Sequence, residues 1–207
     1  MMKASFEEEW LQIKNKLEGD SPDATIWKDA CDRLLTTRLD DRYFQPISLI
    51  RSGSNYRGEG FAILTIQCSL IEFLAALRLG WNHKVGAQPG KNFQYGRSQD
   101  LYCGFLTQQS PFSGLFTDED RALNFYKNVR CGLVHEAQTK NGWKIWAGSA
   151  NDKAVDFEHK VVNRDLFGDL INQYVEIYSK DLIFCRDLQQ AFIRKMQYIY
   201  DHHTTAN

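Results

Sequence analysis

Little in this chain is in excess, and each scarcity removes a class of explanation. Its 207 residues carry 25 Lys and Arg against 26 Asp and Glu, a formal net charge of -1. That balance excludes the whole-surface basic footprint of many nucleic-acid binders, so any contact with phosphate has to be local. Five cysteines, an odd number without a CxxC pair, sit in apolar or helical-looking stretches. Reduced thiols fit this usage better than a disulfide framework or a zinc site, and they point to the cytoplasm. There are only four prolines, while 43% of residues are hydrophobic; disordered chains lack the apolar groups that offset ordering entropy. The longest apolar run, residues 61–79, is broken by Gln67, Glu72 and Arg78, and residues 1–10 are acidic. Neither a membrane span nor a signal peptide is expected. No internal repeat or low-complexity segment is present.

What is present is helical periodicity. Phe6, Trp10, Ile13 and Leu17 share one face before Gly19, and Ile26, Trp27, Ala30, Leu34 and Leu35 form a second pattern after Ser21-Pro22. Pro46, Gly53, Gly58 and Gly60 mark residues 41–60 as a loop, with a short helical turn near Ile47. From Glu59 to Leu79 apolar residues lie on nearly all sides, which describes a central buried helix ended by Gly80. Glu72 is the anomaly there, because a carboxylate in such a helix has to be paired or in a cleft. Residues 80–116 show no sustained period and are expected to be functional or partly ordered by packing, with room for short helical turns. Thr117, Asp118, Glu119 and Asp120 look like a helix start, after which Leu123, Tyr126, Val129, Leu133 and Ala137 continue a buried stripe to Asn141-Gly142. Residues 143–146 and 154–157 are expected to pair as a β-hairpin. Apolar spacing from Leu166 to Ile199 gives one long helix or two joined near Ser179. The fold expected is mainly all-α: an N-terminal helical extension over 1–58, a helical domain over 59–200 and a polar tail over 201–207.

Chemistry concentrates in one segment. Arg130-Cys131-Gly132-Leu133-Val134-His135 places a guanidinium and an imidazole five residues apart on a core helix. Arg offers a planar, permanently charged fork to phosphate oxygens, and His exchanges protons near neutral pH. The segment resembles the HEPN superfamily, helical domains whose signature is an Arg, four to six residues and a His at the end of a core helix. The resemblance covers roughly residues 59–200, including the acid-bearing helix around Ser69-Leu70-Ile71-Glu72, and implies a HEPN-like helical bundle with a small β-hairpin insertion.

The resemblance implies a metal-independent endoribonuclease without cofactor. Two protomers would bring their motifs to a shared cleft, so a homodimer is expected. His135 would act as general base or acid and Arg130 would hold the phosphate, the RNA's own 2′-hydroxyl being the nucleophile. The family suggests a toxin or phage-defence effector, with an antitoxin protein as a further partner. Glu72 would direct Arg130, and Glu136, Lys127 and Asn128 are supporting candidates. At ~100° per residue, Arg130 and His135 lie ~140° apart on a regular helix; a long Arg stem, loosening at Gly132 or a second copy would have to bring them together. Cys131 stands where many active members carry Asn, Asp or His, which supports an alternative: a non-catalytic module binding RNA, nucleotide or a protein partner.

Three other signals are weighed. His135-Glu136 begins like a zinc-protease motif, but Thr139 stands where its second His would fall. Gly86 to Asn92 is one residue short of a nucleoside-triphosphate loop, ends in Asn and follows no clear strand. The surrounding stretch mixes Lys84, Lys91 and Arg97 with Phe93 and Tyr95, a composition able to contact phosphates and stack on unpaired RNA bases.

Overall fold

The structure is a computed structural model that describes residues 6–19, 22–53, 58–148 and 152–201. The polar tail expected from 201, with His202 and His203, lies outside the described residues apart from Asp201. The chain is mainly helical, with short strand pieces. Its residues pack as two units. One comprises 1–42, 76–96 and 177–207, and the other 43–75 and 97–176.

In the first unit, α1 (Phe6–Leu17) buries Trp10, Ile13 and Leu17, the expected stripe, and Trp10 stacks on Tyr200 of α10 (Arg186–Asp201) with centroids 5.7 Å apart. Helix α2 (Ala24–Cys31) is capped by Asp23, whose carboxylate accepts from the N–H groups of Thr25 and Ile26. Such a cap satisfies donors that the first helical turn otherwise leaves unpaired. Helical backbone then continues through a π-turn (Asp32–Thr36), α3 (Thr37–Leu39) and a second π-turn (Asp40–Phe44), and on into the second unit as α4 (Gln45–Ser52). The loop expected over 41–60 is therefore helical as far as Ser52. Pro46 misled because it sits in the first turn of α4, directly after a π-turn, where a missing donor is tolerated.

Helix α5 (Glu59–Leu79) is the buried helix that its composition suggests, with Ile63, Leu64, Cys68, Ile71 and Leu74 all at 0% exposure. It is long and apolar enough to cross a membrane, and 56% of its apolar window is buried within the protein. Gly80 ends it with φ of 65°; a Cβ there would lie 2.7 Å from the backbone of Ala191, so both conformation and close approach require glycine. Beyond it, β1 (Asn82–His83) and β2 (Gln94–Tyr95) pair in parallel around a loop containing a 3-10 turn at Lys91–Phe93.

In the second unit, α6 (Gln99–Gln108) occupies part of the stretch expected to be aperiodic and buries Leu101, Tyr102, Phe105 and Leu106. Leu101 and Phe105, and Tyr102 and Leu106, are spaced i, i+4, but over only ten residues the pattern repeats once and is too short to stand out as a helical period. An aromatic cluster follows: Phe105 packs edge-on against Tyr174 at 4.6 Å, and Phe125 meets Phe116 at 5.3 Å and Phe167 at 5.4 Å. Residues 143–146 and 154–157 do not pair with each other. Strand β3 (Lys144–Trp146) runs parallel to β5 (Val161–Asn163), and β4 (Val155–Asp156) runs antiparallel to β5. Val161, Val162 and Asn163 are 2%, 0% and 1% exposed, so the buried, β-branched segment takes the centre of this small sheet. Asn163 then starts α9 (Arg164–Phe184) by accepting from the N–H groups of Asp165 and Leu166. The junction of α9 and α10 falls at Cys185 rather than Ser179.

Candidate functional site

The Arg–His segment lies on a helix built in three pieces: α7 (Glu119–Phe125), a π-turn (Tyr126–Arg130) and α8 (Cys131–Glu136). Asp118 opens it, its carboxylate accepting from Arg121 N–H at 2.8 Å. Ala137, in the left-handed region at φ of 53°, ends it earlier than Asn141-Gly142. Phe125 and Val129 are 0% exposed and anchor the helix in the aromatic cluster.

Arg130 closes the π-turn, and its side chain is 17% exposed. Its Nη2 donates to Oε2 of Glu72 at 2.7 Å, and its guanidinium carbon lies 5.4 Å from the centre of the Tyr126 ring. The anomaly of an acid in the buried helix is thereby explained: Glu72, 19% exposed, is paired. Burial pulls the Arg130 pKa down, but the hydrogen bond and charge of Glu72 outweigh it and the net shift is upward. Arg130 is thus a permanent cation in a fixed direction. Tyr126 extends the arrangement, its hydroxyl sharing a 3.0 Å hydrogen bond with Ser98 Oγ. Burial raises the phenol pKa against the opposing effects of Ser98 and the Arg130 charge. Nothing in the residue types marks Tyr126 or Ser98 as a site residue. The one available signal was that Tyr126 precedes Arg130 by four residues, a spacing that places two side chains on one helix face.

His135 is exposed in the last turn of α8, beside Val134, which is 45% exposed. No hydrogen bond or ion pair engages its ring among the described residues. The α-helix that follows the π-turn, Cys131–Glu136, is regular, so the five-residue step from Arg130 to His135 keeps an offset of ~140°. Gly132 does not loosen the helix. A Cβ on it would sit 2.5 Å from the Gln138 carbonyl oxygen and 3.2 Å from Thr139 Cα, so its bare backbone lets the turn after the helix fold back against α8.

The supporting candidates separate. Asn128 belongs to a clamp: its Nδ2 donates to Asn124 Oδ1 at 3.0 Å and its Oδ1 accepts from Asn141 Nδ2 at 2.7 Å. Asn124 Oδ1 also accepts from Trp143 Nε1 at 3.0 Å, and Lys140 N–H donates to the Asn128 carbonyl at 2.8 Å. Asn128 therefore ties the 137–143 turn to the helix, with both polar atoms of its amide engaged in doing so. Glu136 pairs with Lys140 at 3.3 Å instead of orienting His135. Lys127 is exposed and makes no ion pair among the described residues.

Of the stretch around Lys84, the structure leaves Lys84, Lys91, Phe93 and Arg97 exposed and removes Tyr95. Tyr95 is 5% exposed and packs edge-on against His83 at 5.4 Å, so its ring is core and cannot receive a base. Among the described residues no three His, Cys, Asp or Glu side chains gather as metal ligands. No protein-family model matches the chain, and no significant match appears among curated proteins or solved structures.

Proposed function

We propose that the chain is a metal-independent endoribonuclease of the HEPN kind that acts as a pair of copies. One observation carries the reading: the same short helix holds Arg130 rigidly through Glu72 and Tyr126 while leaving His135 exposed and unengaged. The two side chains diverge around the helix, so a second copy has to supply the complementary group at each scissile phosphate. The ribose 2′-oxygen attacks the adjacent phosphorus as an imidazole takes its proton, and the P–O5′ bond breaks. The protonated His135 of the second copy gives its proton to the departing O5′, and the products are a 2′,3′-cyclic phosphate and a 5′-hydroxyl. Arg130 offsets charge on the phosphate oxygens, and general acid–base help of this kind is worth ~10²–10⁴ in rate. Such a chain would serve as a toxin or phage-defence effector in the cytoplasm, checked by an antitoxin.

The test is incubation with single-stranded RNA in the presence of a chelator. Products ending in 2′,3′-cyclic phosphate are expected, and His135→Ala abolishes them without changing the unfolding curve, because the ring has no partner to lose. Cleavage by His135→Ala at the native rate overturns the reading.

One observation favours a second reading, a non-catalytic module that binds RNA, a nucleotide or a protein. The Arg130 charge is already compensated by Glu72 at 2.7 Å, and Cys131 follows it. RNA binding without any product over long incubation selects that reading.

A further inference from the structure

The loop joining β1 to β2 has features that the Arg–His site does not use. A depression of about 320 Å³ is lined by residues that include Lys84, Gly86, Gln88 and Lys91. Two lysines and no carboxylate face it, and neither Lys84 nor Lys91 makes an ion pair among the described residues. In a chain of net charge -1 this is a local concentration of uncompensated positive charge. The backbone N–H groups of Gly86 and Gln88, two of its lining residues, have no backbone acceptor among the described residues.

Beside the depression, Phe93 is 50% exposed, and the Arg194 guanidinium carbon lies 4.2 Å from the centre of its ring. Arg194 is itself held by donation from Nη2 to the Leu79 carbonyl at 3.2 Å. A large apolar ring is thus supported from one side by a cation and left half open to solvent. The backbone is also costly to hold at Phe93, whose φ of 55° lies in a region that bulky L-residues avoid, whereas Asn92, at 54°, is of a type that tolerates it. Strain of this kind, spent on displaying an aromatic ring, points from the geometry toward a ligand. Gly96 secures the arrangement, since a Cβ there would fall 2.7 Å from the Ala87 carbonyl oxygen.

We propose that this loop binds single-stranded RNA, with Lys84 and Lys91 holding a backbone phosphate in the depression and Phe93, backed by Arg194, stacking on an unpaired base. The combination selects a strand over a bare anion because phosphate and base are read side by side. The inference takes its ligand from the RNA reading above, but it concerns binding and does not require cleavage.

Binding of a fluorescent single-stranded RNA to the His135→Ala chain tests it, since that variant leaves the RNA intact. Lys84→Gln with Lys91→Gln weakens binding about tenfold at moderate salt and lowers the slope of log affinity against log salt by about 1–2. Phe93→Leu weakens it about fivefold or more and leaves affinity for a duplex of the same sequence unchanged, because paired bases are not free to stack. Unaltered affinity and salt slope in the double lysine variant overturn the proposal, as does failure of the parent to bind single strands. Displacement of RNA by inorganic phosphate at constant ionic strength, with no effect of Phe93→Leu, marks a bare anion site and also overturns it. Intact cleavage without loop-dependent binding removes this inference alone; loop-dependent binding without cleavage removes the nuclease reading alone.

Discussion

Arg130 and Glu72, separated by 58 residues in the chain, meet through a 2.7 Å hydrogen bond between Nη2 and Oε2. Each side chain is less than one-fifth exposed, so neither can turn to solvent without leaving the other behind in a largely desolvated place. The pair has two consequences at once: it fixes the direction of the guanidinium and it makes α5 part of the site carried by the Arg–His helix.

Glu72→Gln keeps the shape and removes the charge. A largely buried guanidinium then loses its charged acceptor, and the folded chain is expected to be less stable by about 1–3 kcal/mol in urea unfolding. Under the proposed nuclease activity, RNA cleavage is expected to fall with it, because Arg130 is no longer held in one direction. A variant as stable and as active as the parent removes the positioning role of Glu72.

Gly132→Ala sets a gain in helix propensity against a steric clash. The methyl would sit 2.5 Å from the Gln138 carbonyl oxygen, a backbone atom that cannot swing aside. The clash wins, and a loss of about 1–3 kcal/mol is expected. Faster amide exchange at Lys140, whose N–H is bonded to the Asn128 carbonyl, reports the displaced turn. Stabilisation by the substitution excludes the close approach.

The thiols give a pH dependence with a definite sign. Burial pushes the Cys68 thiol up to about 12 and the Cys103 thiol up to about 11, from an ordinary 9.0. Above pH 9 the unfolded chain releases these protons while the folded chain keeps them. Folding stability therefore falls as pH rises from 9 toward 11, by up to about 1.4 kcal/mol per pH unit for each thiol. Cys68→Ala is expected to flatten that decline, measured as unfolding free energy against pH. A thiol reagent at pH 8 should label exposed Cys185 quickly and Cys68 only on unfolding. Rapid labelling of Cys68 in the native chain contradicts its burial.

Much was legible where one helix buries one face. The stripe of Trp10, Ile13 and Leu17 and the all-round apolarity of Glu59–Leu79 announce their own burial, because side-chain spacing along a helix is set by local geometry. Pro46 shows the limit of local signals, since its effect depends on the hydrogen-bonding register of the turn before it. The sheet shows another: residues 143–146 and 154–157 carry strand character, but the choice of partner belongs to Val161 and Val162, whose burial is a property of packing.

Residue types alone marked Arg130, His135 and Glu72 as chemically conspicuous and showed that no excess of charge, thiol or metal-ligand spacing competed with them. Their relations needed coordinates. That Glu72 is the partner of Arg130, that Asn128 is tied into a clamp, that Tyr95 is buried while Phe93 stands open on Arg194: each depends on a contact between segments distant in sequence. Spacing along a chain fixes which residues share a helix face, but which faces meet follows from how all the apolar surfaces are buried together, and no short segment contains that information.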